Sequence, residues 1–244
     1  MARPSVLRSH LLRLLAVALV MVLALQLTFA LKVAGMSWVN PSSTAFARSE
    51  AFRLLHTEAG LRWDWQWTDY SLISSSLKRA VLASEDAGFV DHSGVEWDAI
   101  EKAWEKNQAA RPATASSRGR EPRWVGGSTV TQQLAKNLFL SGERTVLRKS
   151  QELLIAFMLE TFLSKQRILE IYLNHVEWAE GVFGAQAAAR HYFRTDAARL
   201  GPEASARLAV MLPAPKRFEK RPNSPYLARR TQTVLARMGA VELP

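Results

Sequence analysis

Residues 14–31 carry no charged side chain, and Arg3, Arg8 and Arg13 stand before them. A helix of about 18 such residues nearly matches the hydrocarbon thickness of a bilayer, so the run predicts a membrane span. Three arginines on its N-terminal side against Lys32 on the other favour a cytoplasmic N-terminus and an exported remainder. A cleaved signal peptide is the competing reading. Against it, the run exceeds the usual apolar region of roughly 7–15 residues, and Ala30, Leu31 and Lys32 make a poor cleavage site. The whole chain of 244 residues has a formal charge of +10, and subtracting the three leading arginines leaves +7 on the exported part. That excess implies an anionic partner: nucleic acid, a lipid head group or a phosphorylated substrate. With 48% hydrophobic residues the chain can bury a sizeable core, as one domain with room for two lobes. Cysteine is absent, which excludes disulfides, thiolate metal sites and cysteine nucleophiles.

After the span, Trp63, Trp65 and Trp67 alternate with Asp64 and Gln66, which suggests a short extended segment. These tryptophans suit either a bilayer interface or a core. From Ser74 the pattern turns helical through Leu77 and Val81 and ends at Glu85 and Asp86. Two carboxylates at a helix C-terminus face carbonyls that already carry partial negative charge, so something must compensate them. One reading is a general base with a tuned pKa; the other is a solvated acidic turn in which His92 and Gly94 shape a loop.

Trp97, Ile100 and Trp104 mark one face of a further helix, and residues 109–124 then read as a basic loop with Arg111, Arg118, Arg120 and Arg123. No aromatic residues interleave these arginines as single-stranded nucleic-acid binding prefers, and nucleic acid is not expected as a partner. The run GGSTVTQQLAKN at residues 126–137 follows. Thr129 with Gln132 three residues on predicts a capping box, and Gln132 and Lys136 share a helix face.

Beyond Gly142 a long helix is predicted over residues 145–162, with Leu153, Leu154, Phe157 and Met158 on its buried side. Arg148 and Glu152 four apart on it would ordinarily be a surface pair. A second amphipathic helix starts at Lys165, with Ile168, Leu169 and Tyr172 inward and Glu170 and Asn174 sharing a face for structure. Gly181 and Gly184 flank a turn that opens an alanine-rich core helix. Gly201-Pro202 and Ser224-Pro225 start two more. With no strong hairpin signal, the exported part reads as mainly α.

In order, the chain presents Glu85-Asp86-x-x-Phe89-x-x-His92-x-Gly94, Gly126-x-Ser128-Thr129-x-x-Gln132-Gln133-x-x-Lys136-Asn137, Arg148-Lys149-x-x-Glu152, and Lys165-x-x-Ile168-Leu169-Glu170-x-Tyr172-Leu173-Asn174. Together these motifs resemble those of the peptidoglycan glycosyltransferase family, in its monofunctional biosynthetic form, over about residues 74–218. No region large enough for a transpeptidase domain follows Pro244, which favours that form over a bifunctional one. The resemblance implies a lysozyme-like helical head lobe with a smaller membrane-facing jaw lobe, preceded by one N-terminal transmembrane helix. It implies a cytoplasmic N-terminus over 1–13, a span over 14–36, a juxtamembrane linker over 37–70 and a periplasmic catalytic domain over 71–244, in the inner membrane.

The activity implied is polymerisation of lipid II into a nascent glycan strand, with inversion at the donor sugar and release of polyprenyl diphosphate. Glu85 matches the general base and Glu152 a second carboxylate that steadies the diphosphate, directly or through a metal. Asp86 and His92 match residues shaping the first motif. Lys136 and Arg148 match the diphosphate cations, with Lys149 and Lys165 as supporters. Ser128, Thr129, Gln132, Gln133 and Asn137 match polar residues of the cleft. No cofactor is obligatory; a divalent ion such as Mg2+ or Mn2+ at Glu152 is an option. Besides the membrane, partners from cell-wall synthesis or division are expected. One departure is Glu96, where the family often has Asp two residues after the first motif's glycine. The rival readings are a glycosidase using two carboxylates, which leaves Lys136 and Arg148 unexplained, and a membrane-anchored binding module, which leaves Glu85 and Glu152 unexplained.

Overall fold

The computed structural model describes residues 4–57, 62–97, 101, 105, 127–143 and 145–244. Arg3, Ile100, Trp104, the basic loop with its four arginines, and Gly126 lie outside the described residues. The first element, α1 (Pro4–Gly35), has 32 residues. At 1.5 Å per residue that is about 48 Å, more than a hydrocarbon core needs. Its stretch Arg8–Gly35 is long and apolar enough to cross a membrane. Leu14, Leu19, Val20 and Leu23 stand exposed on it, while Val33 near its end is fully buried.

The remainder is mainly α, as expected. Its helices are α2 (Ala45–Leu55), α3 (Ser75–Glu85), α4 (Val130–Phe139), α5 (Val146–Phe162), α6 (Lys165–His175), α7 (Ala185–Phe193), α8 (Pro202–Met211), the short α9 (Pro215–Glu219) and α10 (Pro225–Met238). Side-chain oxygens start most of them. Thr44, Ser74, Thr129, Thr145, Ser164 and Ser224 each accept from a backbone N–H three residues on, satisfying a donor the helix itself cannot. Pro202 and Pro225 open α8 and α10, where a missing N–H costs nothing.

Helix α6 is the centre: Ile168, Leu169, Ile171, Tyr172, Leu173, Asn174 and His175 are all buried, so it is covered on nearly every side. Helices α4 and α5 pack together, α4 also packs on α6, and α3, α8 and α10 form a second group. Asn174 and Glu170 have the structural role expected of them. The Asn174 amide accepts from Thr68 N–H and donates to Thr68 C=O, and Glu170 accepts from Tyr70 N–H. Trp65 and Trp67 lie against the same helix, where Trp65 donates to Asn174 C=O and stacks on His175 and Trp67 meets that ring edge-on, whereas Trp63 is 40% exposed and stacks on Phe183. For the half-buried Trp65 and Trp67 these contacts describe packing against the protein, one of the two readings left open.

The short extended segment read at the alternating tryptophans is present as a strand, but the sheet it joins was not expected, and one helix face differs from its reading. A small sheet exists, in the order β1 (Asp64–Trp65), β3 (Val182–Phe183), β2 (Glu177–Ala179), with β1 parallel and β2 antiparallel to β3. Strands β2 and β3, of three and two residues and buried throughout, are too short and too uniformly covered to show a period of two. On α5 the buried residues are Glu152, Ile155, Ala156 and Leu159, whereas Leu154 and Phe157 are 47% and 41% exposed. Periodicity located an apolar face there but could not tell a covered face from an exposed one. Trp97 is 64% exposed, and the rest of the face it was read to mark lies outside the described residues.

Gly181 makes the β2–β3 turn with φ +72°, and an added Cβ would lie 2.0 Å from the Arg62 carbonyl oxygen. Both the dihedral and the backbone contact require glycine. Gly181→Ala is expected to destabilise the protein by more than about 2 kcal/mol, measured by denaturant unfolding in detergent.

Candidate active site

Asp86 follows the last residue of α3, where a carboxylate would be repelled by the helix's own carbonyls. The compensation comes from elsewhere in the chain. One carboxylate oxygen accepts from Val130 N–H at 2.9 Å, the first turn of α4, where helix polarity favours negative charge. The other lies 2.9 Å from His92 Nε2. Since His92 Nδ1 accepts from Gly94 N–H, the ring proton resides on Nε2 and is donated to Asp86. Thr129 completes the joint. Its hydroxyl donates to Gly94 C=O and accepts from Gln132 N–H, and the Gln132 side chain accepts from Thr129 N–H, the expected capping box. Asp86, Thr129 and Gln132 are thus buried and engaged within the protein. Asp86 shapes the first motif as expected, and Thr129 and Gln132, matched to polar residues of a cleft, join that motif to the start of α4.

Glu85, one residue earlier, remains partly exposed and accepts from Gln133 Nε2 at 3.0 Å. Tyr172 donates to the other end of that amide at 3.1 Å, which leaves the NH2 group to face Glu85. Burial is the largest influence on Glu85 and lifts its pKa above the ordinary 4.5, against the lowering effects of Gln133, Ser84 and Arg230. A carboxylate held this way binds a proton more readily than a solvated one.

Three residues along α4 from Gln133, and so on a neighbouring part of its surface, stands Lys136. Burial pulls its pKa down; Glu152 raises it, and Arg148 and Lys149 lower it further, which places all four groups in mutual range. Glu152 is buried on α5, with one oxygen accepting from Arg148 Nη1 and the other from Lys149 Nζ, each at 2.5 Å. The pair read from spacing as an ordinary surface contact is therefore buried on its acidic side. Lys149 also donates to Ser128. Arg148 Nε is buried without a hydrogen-bond partner. Three cations around one carboxylate leave a local positive excess, the arrangement an anionic ligand needs. Asn137 is half-buried beside Lys136.

Lys165 is not part of this cluster. Its ammonium donates to His92 C=O and to Glu160, and lies 4.5 Å from the centre of the Phe89 ring, so it braces the first motif's loop. Sequence reasoning did not single out Glu160, which also accepts from Thr131, or the hydroxyl of Tyr172, because each touches the site through another side chain.

The order and the contacts of these motifs are thus accounted for together, and a family model described as Transglycosylase matches residues 55–239. The chain belongs to the transglycosylase family. It is 51% identical over 229 residues to a "Biosynthetic peptidoglycan transglycosylase" of Paraburkholderia xenovorans (strain LB400), covering 94% of this chain and 91% of that one. A protein of the same description from Bordetella pertussis (strain Tohama I / ATCC BAA-589 / NCTC 13251) is 48% identical over 248 residues, spanning both chains completely. Within the transglycosylase fold seen here, the donors for a resident metal do not fit. Both Glu152 oxygens already accept from cations, and no group of three or more His, Cys, Asp or Glu side chains suited to an ion occurs among the described residues.

Replacing Asp86 by Ala would leave Val130 N–H and the His92 ring without their partner. The expected loss is about 2–4 kcal/mol, read as a Tm lowered by about 5–10 °C.

Proposed function

We propose that this transglycosylase is a peptidoglycan glycosyltransferase that polymerises lipid II into linear glycan strands. The observation that carries the reading is the pairing on α4: Gln133 touches a carboxylate of raised pKa, and Lys136, three residues on, joins a cation-rich cluster. Glu85 takes the proton from the acceptor sugar's 4-hydroxyl as that oxygen attacks the donor's anomeric carbon. The bond from that carbon to the diphosphate breaks with inversion, and polyprenyl diphosphate leaves as an anion. Lys136, Arg148 and Lys149 meet the growing negative charge, which they do best where they are fixed beforehand and partly desolvated. Glu152 keeps Arg148 and Lys149 in place and limits their mutual repulsion. Ser128 and Asn137 border this region. Asp86, His92, Thr129, Gln132 and Lys165 position it.

In this reading residues 1–13 are cytoplasmic, 14–36 cross the inner membrane, 37–70 connect and 71–244 form the periplasmic catalytic domain. Any Mg2+ or Mn2+ would arrive with the diphosphate, since both Glu152 oxygens are already engaged and no other group suited to an ion occurs among the described residues. The nascent strand and proteins of wall synthesis or division are the further partners, and nucleic acid has no part.

Reconstituted protein given labelled lipid II tests the assignment: muramidase-sensitive polymer supports it, and shortening of preformed glycan without polymer supports a glycosidase instead. Glu85→Gln is expected to reduce polymerisation at least about 100-fold while lipid II still binds. Lys136→Ala is expected to lower turnover by a similar factor. The base must be ionised, so kcat/KM should fall as pH drops through the raised Glu85 pKa. The acid limb is therefore expected above the ordinary 4.5.

A further inference from the structure

Every described side chain of α1 over residues 8–25 is exposed, and Gln26 is the first to be covered. What covers it is Gln151 of α5. The two amides exchange both hydrogen bonds, Gln26 Nε2 to Gln151 Oε1 at 2.8 Å and Gln151 Nε2 to Gln26 Oε1 at 3.0 Å. An amide inside an apolar run is costly unless another polar group meets it, and here each satisfies the other. A second tie lies farther along: Ser37, just past the end of α1, donates to Phe162 C=O at the end of α5. Gln26 to Ser37 and Gln151 to Phe162 are the same number of residues, so the helices run side by side, in the same direction and in fixed register, over about 16 Å. Phe29 of α1 lies edge-on to Phe139 at the end of α4, which closes the contact on a third helix.

Gln151 is flanked by the groups that face Lys136: Glu152 is next to it and Arg148 is one turn before. We propose that Gln26 is a positioning residue, which through Gln151 sets the height of the Arg148–Lys149–Glu152 cluster against the bilayer, so that it meets a lipid-linked diphosphate. The span is then part of the substrate site's frame as well as its anchor. Gln26 lies in the outer third of the uncharged run, and the side of α5 that displays Leu154 and Phe157 is exposed beside it. A soluble helix would have little reason to leave both uncovered; a helix pressed against a membrane span has lipid to cover them. This inference rests on the cluster's being the diphosphate clamp.

The test compares wild type, Gln26→Leu, Gln151→Leu, the double variant and Gln26→Asn in lipid nanodiscs. Two quantities are measured: affinity for a polyprenyl diphosphate without turnover, and KM and kcat for lipid II on protein titrated for active sites. Each leucine variant is expected to weaken diphosphate affinity and raise KM about fivefold, with kcat changed less than twofold. The double variant should be no worse than either single, and Gln26→Asn, which keeps an amide, should recover part of the loss. The acid limb set by Glu85 should not move. Unchanged affinity in Gln26→Leu overturns the inference, as does a loss confined to kcat, which leaves the diphosphate site unaltered, or multiplicative losses in the double variant. An absence of polymer from wild type would instead overturn the proposed reaction, and the binding comparison would still decide the role of Gln26.

Discussion

The site depends on a single buried carboxylate that joins two helix ends of opposite polarity. Asp86 leaves the negative end of α3 and enters the positive end of α4, with its second oxygen on His92. Removed from that position, it would be a charge buried beside carbonyls; in it, the charge satisfies a helix donor that has no intrahelical acceptor. The joint fixes where Glu85 stands relative to Gln133, because one belongs to the last turn of α3 and the other to the first turns of α4. Everything farther along α4, Lys136 included, inherits its position from that junction.

A second chain of contacts fixes the same helix from beneath. The buried Tyr172 hydroxyl orients the Gln133 amide, and Glu160 ties Thr131 of α4 to Lys165 at the start of α6. Lys165 returns to the first motif through His92 C=O. The first, second and last sequence motifs are therefore linked pairwise, and the third joins the second through Lys149 and Ser128. That is a physical reason for their occurring together in one chain, separate from any likeness to other chains.

Much of this was legible because it is local. Helix starts announce themselves through side chains three residues from their partners, and the capping box of Thr129 and Gln132 appeared as read. The apolar run was legible because length and charge alone define it. What could not be read were contacts between segments far apart: the tiny sheet, the Tyr172 hydroxyl on Gln133, and the burial of Glu152 beneath what looked like a surface pair. The face of α5 was misassigned for a related reason. Periodicity records where apolar side chains recur and is silent on whether protein or lipid covers them, so Leu154 and Phe157 looked like core. Thr129 and Gln132 show how a motif's polar residues also serve the fold, since the Thr129 hydroxyl and the Gln132 side-chain oxygen are engaged in the capping box and with Gly94.

The two carboxylates also explain why glycosyl transfer suits the site better than hydrolysis by an acid and base pair. A glycosidase needs one carboxyl protonated and a second free to act as nucleophile or base. Glu85 has the raised pKa of a group that exchanges protons, but Glu152 is locked between Arg148 and Lys149, with neither oxygen free to attack or to take a proton. Its environment makes it a counter-charge that holds two cations together. Cations so held, with Lys136 facing them from α4, have no task in cleaving a sugar–sugar bond, where the departing alcohol is neutralised by a proton. They are suited to a leaving group that departs with charge of its own, and a sugar diphosphate is such a group.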